Sequence, residues 1–124
     1  MPFDWNNFLS LAEQLAANDN EASKRTAISR AYYCAFNLAL ARVGPRPRGE
    51  RRTHQWCWAQ YTRTPDLTCQ RLGNTGFRLK RMREEADYDG TQNPRLDEEA
   101  QRMLEDARQF LADLSTLDLR YPRP

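Results

Sequence analysis

The chain has 124 residues and a formal net charge of +2, and this length suits one domain with a hydrophobic core and excludes two such domains. Hydrophobic residues make up 40% of the sequence and the mean hydropathy is −0.91, so we expect amphipathic helices under a heavily charged surface. No apolar run approaches the roughly 18 residues of a membrane span, and no charged start and apolar core of a signal peptide is found, which predicts a cytoplasmic protein without membrane contact.

Apolar residues at helical spacing predict two helices at the start of the chain. The first covers residues 4 to 17, and Asn18-Asp19-Asn20 then ends it. Asn20 can cap the second helix, whose most regular part, RTAISRAYYCAFNLALARV, runs from Arg25 to Val43. Every fourth residue from Ala27 to Ala39 is alanine, which lets another helix approach closely. The short connection predicts that the two helices form an antiparallel hairpin.

Residues 44 to 52, GPRPRGERR, predict a solvated loop because two prolines and two glycines interrupt regular structure. A short helix follows from about His54 to Tyr61, and it holds Trp56 and Trp58. Residues spaced by two cannot share one helical face. Either one tryptophan is exposed at a partner surface or both are partly buried.

Weaker patterns predict two more helices. One covers about residues 67 to 86, with Gly73-Asn74 as the point where it could break, and a turn-rich connection from Asp87 to Pro94 follows it. The last helix starts near Pro94, where three acidic residues favour its positive N-terminal end. Its apolar stripe consists of Ala100, Met103, Leu104, Ala107, Leu111 and Leu114.

No strand pattern is found, so the predicted fold class is all-α, an antiparallel up-and-down bundle of four main helices plus a short one. We expect a single domain over residues 1 to 124, with a core from about 4 to 117 and a tail from 118 to 124. The three cysteines, Cys34, Cys57 and Cys69, include no close pair, and His54 is the only histidine. Zinc sites need closer sets of these ligands, so we expect reduced, buried thiols and neither a metal nor a cofactor.

Three short motifs resemble the HEPN superfamily (higher eukaryote and prokaryote nucleotide-binding), especially its short bacterial members. Residues 29 to 36, SRAYYCAF, are similar to the Ser-Arg-Ala-Tyr-Tyr-Ala-x-Phe run of those proteins. Thr53-His54 is similar to the Thr/Ser-His pair after their second helix, and Arg83 to Tyr88 is similar to their Arg-x-x-Ala-Asp-Tyr. The resemblance covers roughly residues 4 to 117. It implies an HEPN-like helical bundle that forms a homodimer.

The resemblance also implies a catalytic region. HEPN ribonucleases carry an Arg followed after four to six residues by a His, which faces its copy across the dimer. Metal-free RNA cleavage needs a proton acceptor for the 2′-OH and a cation for the charge on the phosphorane-like intermediate. Arg81, Arg83, Asp87 and Tyr88 match this region, but no histidine stands at the expected spacing. In a longer variant of the motif, found in systems paired with a nucleotidyltransferase, the corresponding tyrosine is modified.

Structural roles are the alternatives for these residues. Arg83 and Asp87 lie four apart and can pair within one helix, and Tyr88 can pack beneath the last helix. His54 lies six residues after Arg48, which fits the motif spacing but in an arginine-dense loop. A lone histidine of this kind also caps a helix or packs at its edge.

Arginines outside the motif are candidate ligands for phosphate groups, because a guanidinium presents a planar fork of donors. For those in the loop the alternative is a run that is only solvated. For the one in the second helix the alternative is a tie between neighbouring helices. The candidates are Arg30, Arg48, Arg51 and Arg52.

The sequence leaves three functions open. The first is a non-catalytic or weakly active HEPN component of a toxin-antitoxin or anti-phage defence system that binds RNA, a nucleotide or a partner protein. The second is a metal-independent endoribonuclease toxin that uses Arg81 or Arg83 with Tyr88, Asp87 or His54. The third is a helical interaction subunit without a nucleic-acid role. The expected partners are a second copy of the chain, RNA or a nucleotide, and a cognate nucleotidyltransferase or other defence protein.

Overall fold

The computed structural model describes residues 2–122, which form five helices and, within that range, no strand. The helices are α1 (Asn6–Ala16), α2 (Glu21–Val43), α3 (Thr53–Thr62), α4 (Leu67–Tyr88) and α5 (Leu96–Thr116). The predicted all-α class and the helical bundle are therefore confirmed. Across the described residues, no helix combines the length and the apolar character needed to cross a bilayer.

The second helix is the centre of the bundle, since α2 contacts each of the other four helices. Its alanine stripe, from Ala27 to Ala39, is at most 1% exposed, because the small side chains allow neighbouring backbones to approach. The side chain of Asn20 accepts a hydrogen bond from the backbone N–H of Ser23 at 2.8 Å, as its predicted capping role requires. Gly44, with a φ of 94°, ends the helix.

Close packing between α3 and α4 explains two glycines of α4, of which Gly73 belongs to the pair that the sequence suggested as a helix break. The fourth helix runs without interruption through Gly73 and Gly76 and continues to Tyr88, two residues beyond the predicted end. A Cβ atom at position 76 would lie 2.2 Å from the ring of Trp58, and one at position 73 would lie 2.6 Å from Thr62. These glycines therefore make room for α3 rather than interrupt α4.

The two tryptophans of α3 occupy different environments. Trp58 is fully buried, whereas Trp56 is half-buried against the core. The three cysteines are buried and free, as predicted. Burial raises the pKa of the Cys34 thiol to about 11 and that of Cys57 to about 12, which keeps both protonated and unreactive near neutral pH.

The last helix differs from its predicted stripe at one position. Phe110, which the stripe omitted, is 1% exposed and packs edge-to-face on Trp58 at 5.7 Å between ring centroids, while Leu111 is half-buried. After α5 the chain turns back over α2, where the Arg42 guanidinium donates hydrogen bonds to the carbonyl oxygens of Leu117, Asp118 and Tyr121. The predicted tail is thus anchored as far as residue 122, and residues 123 and 124 lie outside the described residues.

Candidate functional site

The Arg83 guanidinium is the least satisfied charged group in the described bundle. It faces α2 from the middle of α4, and Arg83 is only 8% exposed. The guanidinium carbon lies 5.5 Å from the ring centroids of Tyr32 and Tyr33 and 5.9 Å from that of Tyr88. Among residues 2–122 no atom accepts a hydrogen bond from it, and its Nε is fully buried without a partner. A cation at this position attracts an oxygen ligand.

The nearest carboxylate is that of Asp87, one turn farther along α4. Its Oδ2 lies 3.6 Å from an Arg83 amino nitrogen, so the predicted ion pair exists, but at a distance too long for a hydrogen bond. The Ser29 hydroxyl donates to the same carboxylate at 3.3 Å and accepts a hydrogen bond from Arg30, also at 3.3 Å. Ser29 thus ties α2 to the end of α4, and Arg30 supports Ser29 from within α2.

His54 reaches the same two tyrosines from the start of α3. Its ring stacks on Phe36 at 3.9 Å and lies 2.7 Å, through Nδ1, from the hydroxyl of Tyr32. Trp58 donates its indole N–H to that hydroxyl at 3.1 Å, and the hydroxyl can donate its own proton to Nδ1 in the tautomer of His54 that carries its proton on Nε2. In that tautomer the free edge of His54 is a hydrogen-bond donor.

The pKa of His54 is lowered to about 4, chiefly by burial and also by the positive charges of Arg83 and Lys80, against the opposing effect of Glu84. The ring is therefore neutral at physiological pH. A shallow cavity of about 270 Å³ lies beside it, lined by Arg52, His54, Gln55 and Lys80. Two cationic side chains and a ring N–H thus border one small opening.

We call the group formed by Ser29, Tyr32, Tyr33, His54, Arg83, Asp87 and Tyr88 the Arg83 site. All three motif stretches found in the sequence contribute to it, although they lie far apart along the chain. The fold therefore brings an arginine and a histidine to the same two tyrosines, although the two residues do not stand at the motif spacing in the sequence.

The other candidate residues lie at different distances from this site. Arg81 is exposed and lies on the side of α4 opposite to Arg83, since residues two positions apart in a helix point about 200° away from each other. Arg48 and Arg51 are exposed in the loop, and Arg52 lines the cavity beside His54. Tyr88 is 78% exposed, so the alternative in which it packs beneath the last helix is wrong. It lies at the end of α4 and points outward.

Two contributors were missed by sequence reasoning. Lys80 precedes Arg83 by three residues and so lies on the same face of α4, a spacing that could have indicated it. The stacking of His54 on Phe36 carries no linear signal, because the two residues belong to different helices. Within residues 2–122 there is no group of three His, Cys, Asp or Glu side chains that could hold a metal ion.

Chemically, the Arg83 site and the cavity beside His54 together present three cations, an imidazole ring and the exposed aromatic side chain of Tyr88, which suits a ligand with a phosphate and a planar group. Comparisons with protein-family models, with curated proteins and with solved structures give no match. The HEPN resemblance therefore stays a prediction that rests on the three motifs.

Proposed function

We propose that this protein binds the phosphate groups of RNA or of a nucleotide at the Arg83 site, as an HEPN-like component of a toxin-antitoxin or anti-phage defence system. In this proposal the chain acts as a binding module with little or no catalytic activity. The HEPN resemblance adds a second copy of the chain and a nucleotidyltransferase or other defence protein as proposed partners.

The observation that carries the proposal is the buried guanidinium of Arg83 without a hydrogen-bond acceptor. Desolvating a charge is costly, and proteins normally compensate the cost with a close partner. The carboxylate of Asp87 stands 3.6 Å away, so it offsets part of the charge but is too far to accept a hydrogen bond from the guanidinium. A phosphate oxygen would supply the missing acceptor and the opposite charge together.

The surroundings favour phosphate over a simple carboxylate ligand. Lys80 and Arg52 lie beside the neutral His54 ring, and in its Nε2–H tautomer that ring adds a further N–H, which gives several donors for several oxygens. The exposed ring of Tyr88 beside the guanidinium offers a stacking surface for a base. The meeting of the three HEPN-like motif stretches at this one place supports the proposed family, because unrelated chance matches have no reason to meet.

Binding of a fluorescein-labelled single-stranded RNA, followed by anisotropy, tests the proposal. The Arg83→Gln variant should bind about tenfold more weakly or worse, since charge-assisted hydrogen bonds are lost. The matched control is Arg81→Gln, which changes the net charge equally on the opposite side of α4. That variant should retain the parent affinity within about threefold, because dissolved salt screens the attraction between a distant surface charge and the RNA.

Equal losses in the two variants would show that only the overall charge matters and would refute a site at Arg83. Affinity of the parent should also fall with rising salt concentration, as phosphate contacts require. Absence of binding at low salt would favour the alternative of a helical interaction subunit without a nucleic-acid role.

A second function, metal-independent endoribonuclease, is favoured by one observation. His54 and Arg83 approach the same two tyrosine rings from different helices, so a general acid and a cation stand close together. It ranks second because Nδ1 of His54 is engaged with the Tyr32 hydroxyl, and because a pKa lowered to about 4 makes the ring a weak base for the 2′-OH proton.

Incubation of end-labelled RNA with the protein in EDTA separates the two functions. A binding module leaves the RNA intact at concentrations that saturate binding. Cleavage by the parent that disappears in both His54→Gln and Arg83→Gln would establish the nuclease instead. Tyr88→Phe would then show whether the tyrosine hydroxyl takes part, because the phenyl ring retains the stacking surface without the hydroxyl.

A further inference from the structure

Three aromatic rings at the start of the chain form a cluster outside the core. Phe3, Trp5 and Phe8 pack edge-to-face, with ring centroids 5.0 to 5.5 Å apart. Phe3 is 52% exposed and the other two are half-buried. Neither the fold nor the Arg83 site requires exposed rings at this position.

Arg30 connects this cluster to the Arg83 site. Its guanidinium carbon lies 5.0 Å from the ring centroid of Phe8 and 4.9 Å from that of Tyr33. The Arg83 guanidinium continues the series, 5.5 Å from Tyr33 and 5.9 Å from Tyr88. Three rings and two guanidinium groups therefore alternate, in the order Phe8, Arg30, Tyr33, Arg83, Tyr88, and we call this series the ring-arginine row.

We infer that the ring-arginine row is a track for a single-stranded stretch of about three nucleotides, in which each ring contacts a base through the surface that the guanidinium groups leave uncovered and each arginine contacts a linking phosphate. The inference rests on the proposed function, since it takes the Arg83 phosphate contact as one of its two phosphate contacts. It adds Arg30, Phe8 and the aromatic cluster as a binding region. Three bases joined by two phosphates have the same alternation as three rings separated by two guanidinium groups.

A single strand suits the row better than a duplex. Rings can stack only on bases whose faces are free, and in a duplex those faces are already stacked on one another. The row also lies across helices α1, α2 and α4 rather than along one protruding helix that could enter a groove. Arginine planes beside aromatic rings accept any base, so little sequence preference is expected.

Displacement of a labelled uridylate 12-mer by unlabelled uridylates of one to six nucleotides tests the length of the track. Affinity should rise at least about fivefold with each added nucleotide up to about three and then level off, because further bases meet no ring. Replacing Phe8 with leucine retains an apolar side chain but removes the ring. In Phe8→Leu the gain on reaching the third nucleotide should disappear, while uridine 5′-monophosphate should bind as it binds the parent.

Arg30→Gln should lower the slope of log affinity against log salt concentration by about 0.7, the value for one phosphate contact of a single strand. A thermal melt of each variant shows whether the fold is retained. The matched control, Arg81→Gln, should change neither the slope nor the dependence on length, because Arg81 faces away from the row.

The outcomes separate this inference from the proposed function. Binding of the mononucleotide without any gain from longer chains would retain phosphate binding at Arg83 and refute the row. Equal affinity for a duplex would refute it as well. If Phe8→Leu alters the molecular mass in light scattering and not the dependence on length, the row is an interface between copies and the inference is wrong. Absence of binding at every length would refute both proposals.

Discussion

The titration of His54 offers a direct test of the geometry of the Arg83 site. It is the only histidine in the chain, so its imidazole signals in a proton NMR spectrum need no assignment among several residues. Burial against Tyr32 and Phe36 lowers its pKa to about 4, from an ordinary value of 6.5, and the cations of Arg83 and Lys80 act in the same direction. We expect the ring to stay neutral until the pH falls well below 5.

The same shift makes stability depend on pH. The unfolded chain takes up a proton at His54 below pH 6.5, whereas the folded chain takes it up only near pH 4. The unfolded state therefore binds more protons between these values, and the stability present above pH 6.5 is lost as the pH falls toward 4. One pKa unit is worth about 1.4 kcal/mol, so the free energy of unfolding should fall by about 2 kcal/mol between pH 7.5 and pH 5. Solvent screening of the half-buried ring makes this figure an upper value.

Urea unfolding at pH 7.5 and pH 5, carried out on the parent and on His54→Gln, measures this loss. Glutamine does not titrate but can still accept the hydroxyl proton of Tyr32, so the contributions of carboxyl groups cancel between the two proteins. The parent should lose about 2 kcal/mol more than the variant. An NMR midpoint at or above pH 6.5 would refute the reasoning, because it would mean that His54 is hydrated and distant from Arg83.

Further predictions concern single side chains. Gly76→Ala should destabilise the fold by about 1 to 3 kcal/mol in urea unfolding, because the new Cβ overlaps the ring of Trp58, whereas Gly90→Ala, which meets no atom within 4 Å, should change little. Asn20→Ala should cost about 1 kcal/mol in the same assay through loss of the α2 cap. Arg83→Met should raise the urea midpoint, because it replaces a buried charge without a hydrogen-bond acceptor by an apolar side chain and leaves only the partly exposed Asp87 unpaired, and it should abolish RNA binding; a lower midpoint would show that the Asp87 pair stabilises the fold.

Local patterns in the sequence were sufficient to predict the helices. The pattern from Arg25 to Val43 is regular because α2 is surrounded by other helices, and its alanines mark where those helices come close. Asn20 and Gly44 act at the ends of one helix, so their roles follow from neighbouring residues. Such features depend on contacts three or four residues apart, which a linear reading detects.

Contacts between helices could not be predicted in this way. Gly73-Asn74 suggested a break because glycine disfavours a helix, and only the positions of Thr62 and Trp58 show that Gly73 and Gly76 serve packing. The partnership of His54 with Tyr32 and Phe36 joins α3 to α2, and no spacing rule relates those helices. The outward direction of Tyr88 depends on where α4 ends, and helix ends are the least predictable part of a helix.

Arg83 is the point at which stability and the proposed function conflict. On α4 it stands between Leu79 and Ala86, both buried on the same face, so an apolar side chain would suit its position better. The fold instead places a guanidinium there. Its nearest carboxylate, that of Asp87, lies 3.6 Å away, and its buried Nε has no hydrogen-bond partner. Groups that cost stability in this way are expected where a protein binds a ligand or catalyses a reaction, because the ligand can supply the hydrogen-bond acceptor that the fold lacks. The same residue therefore combines a buried charge without a hydrogen-bond acceptor with the proposed affinity for phosphate.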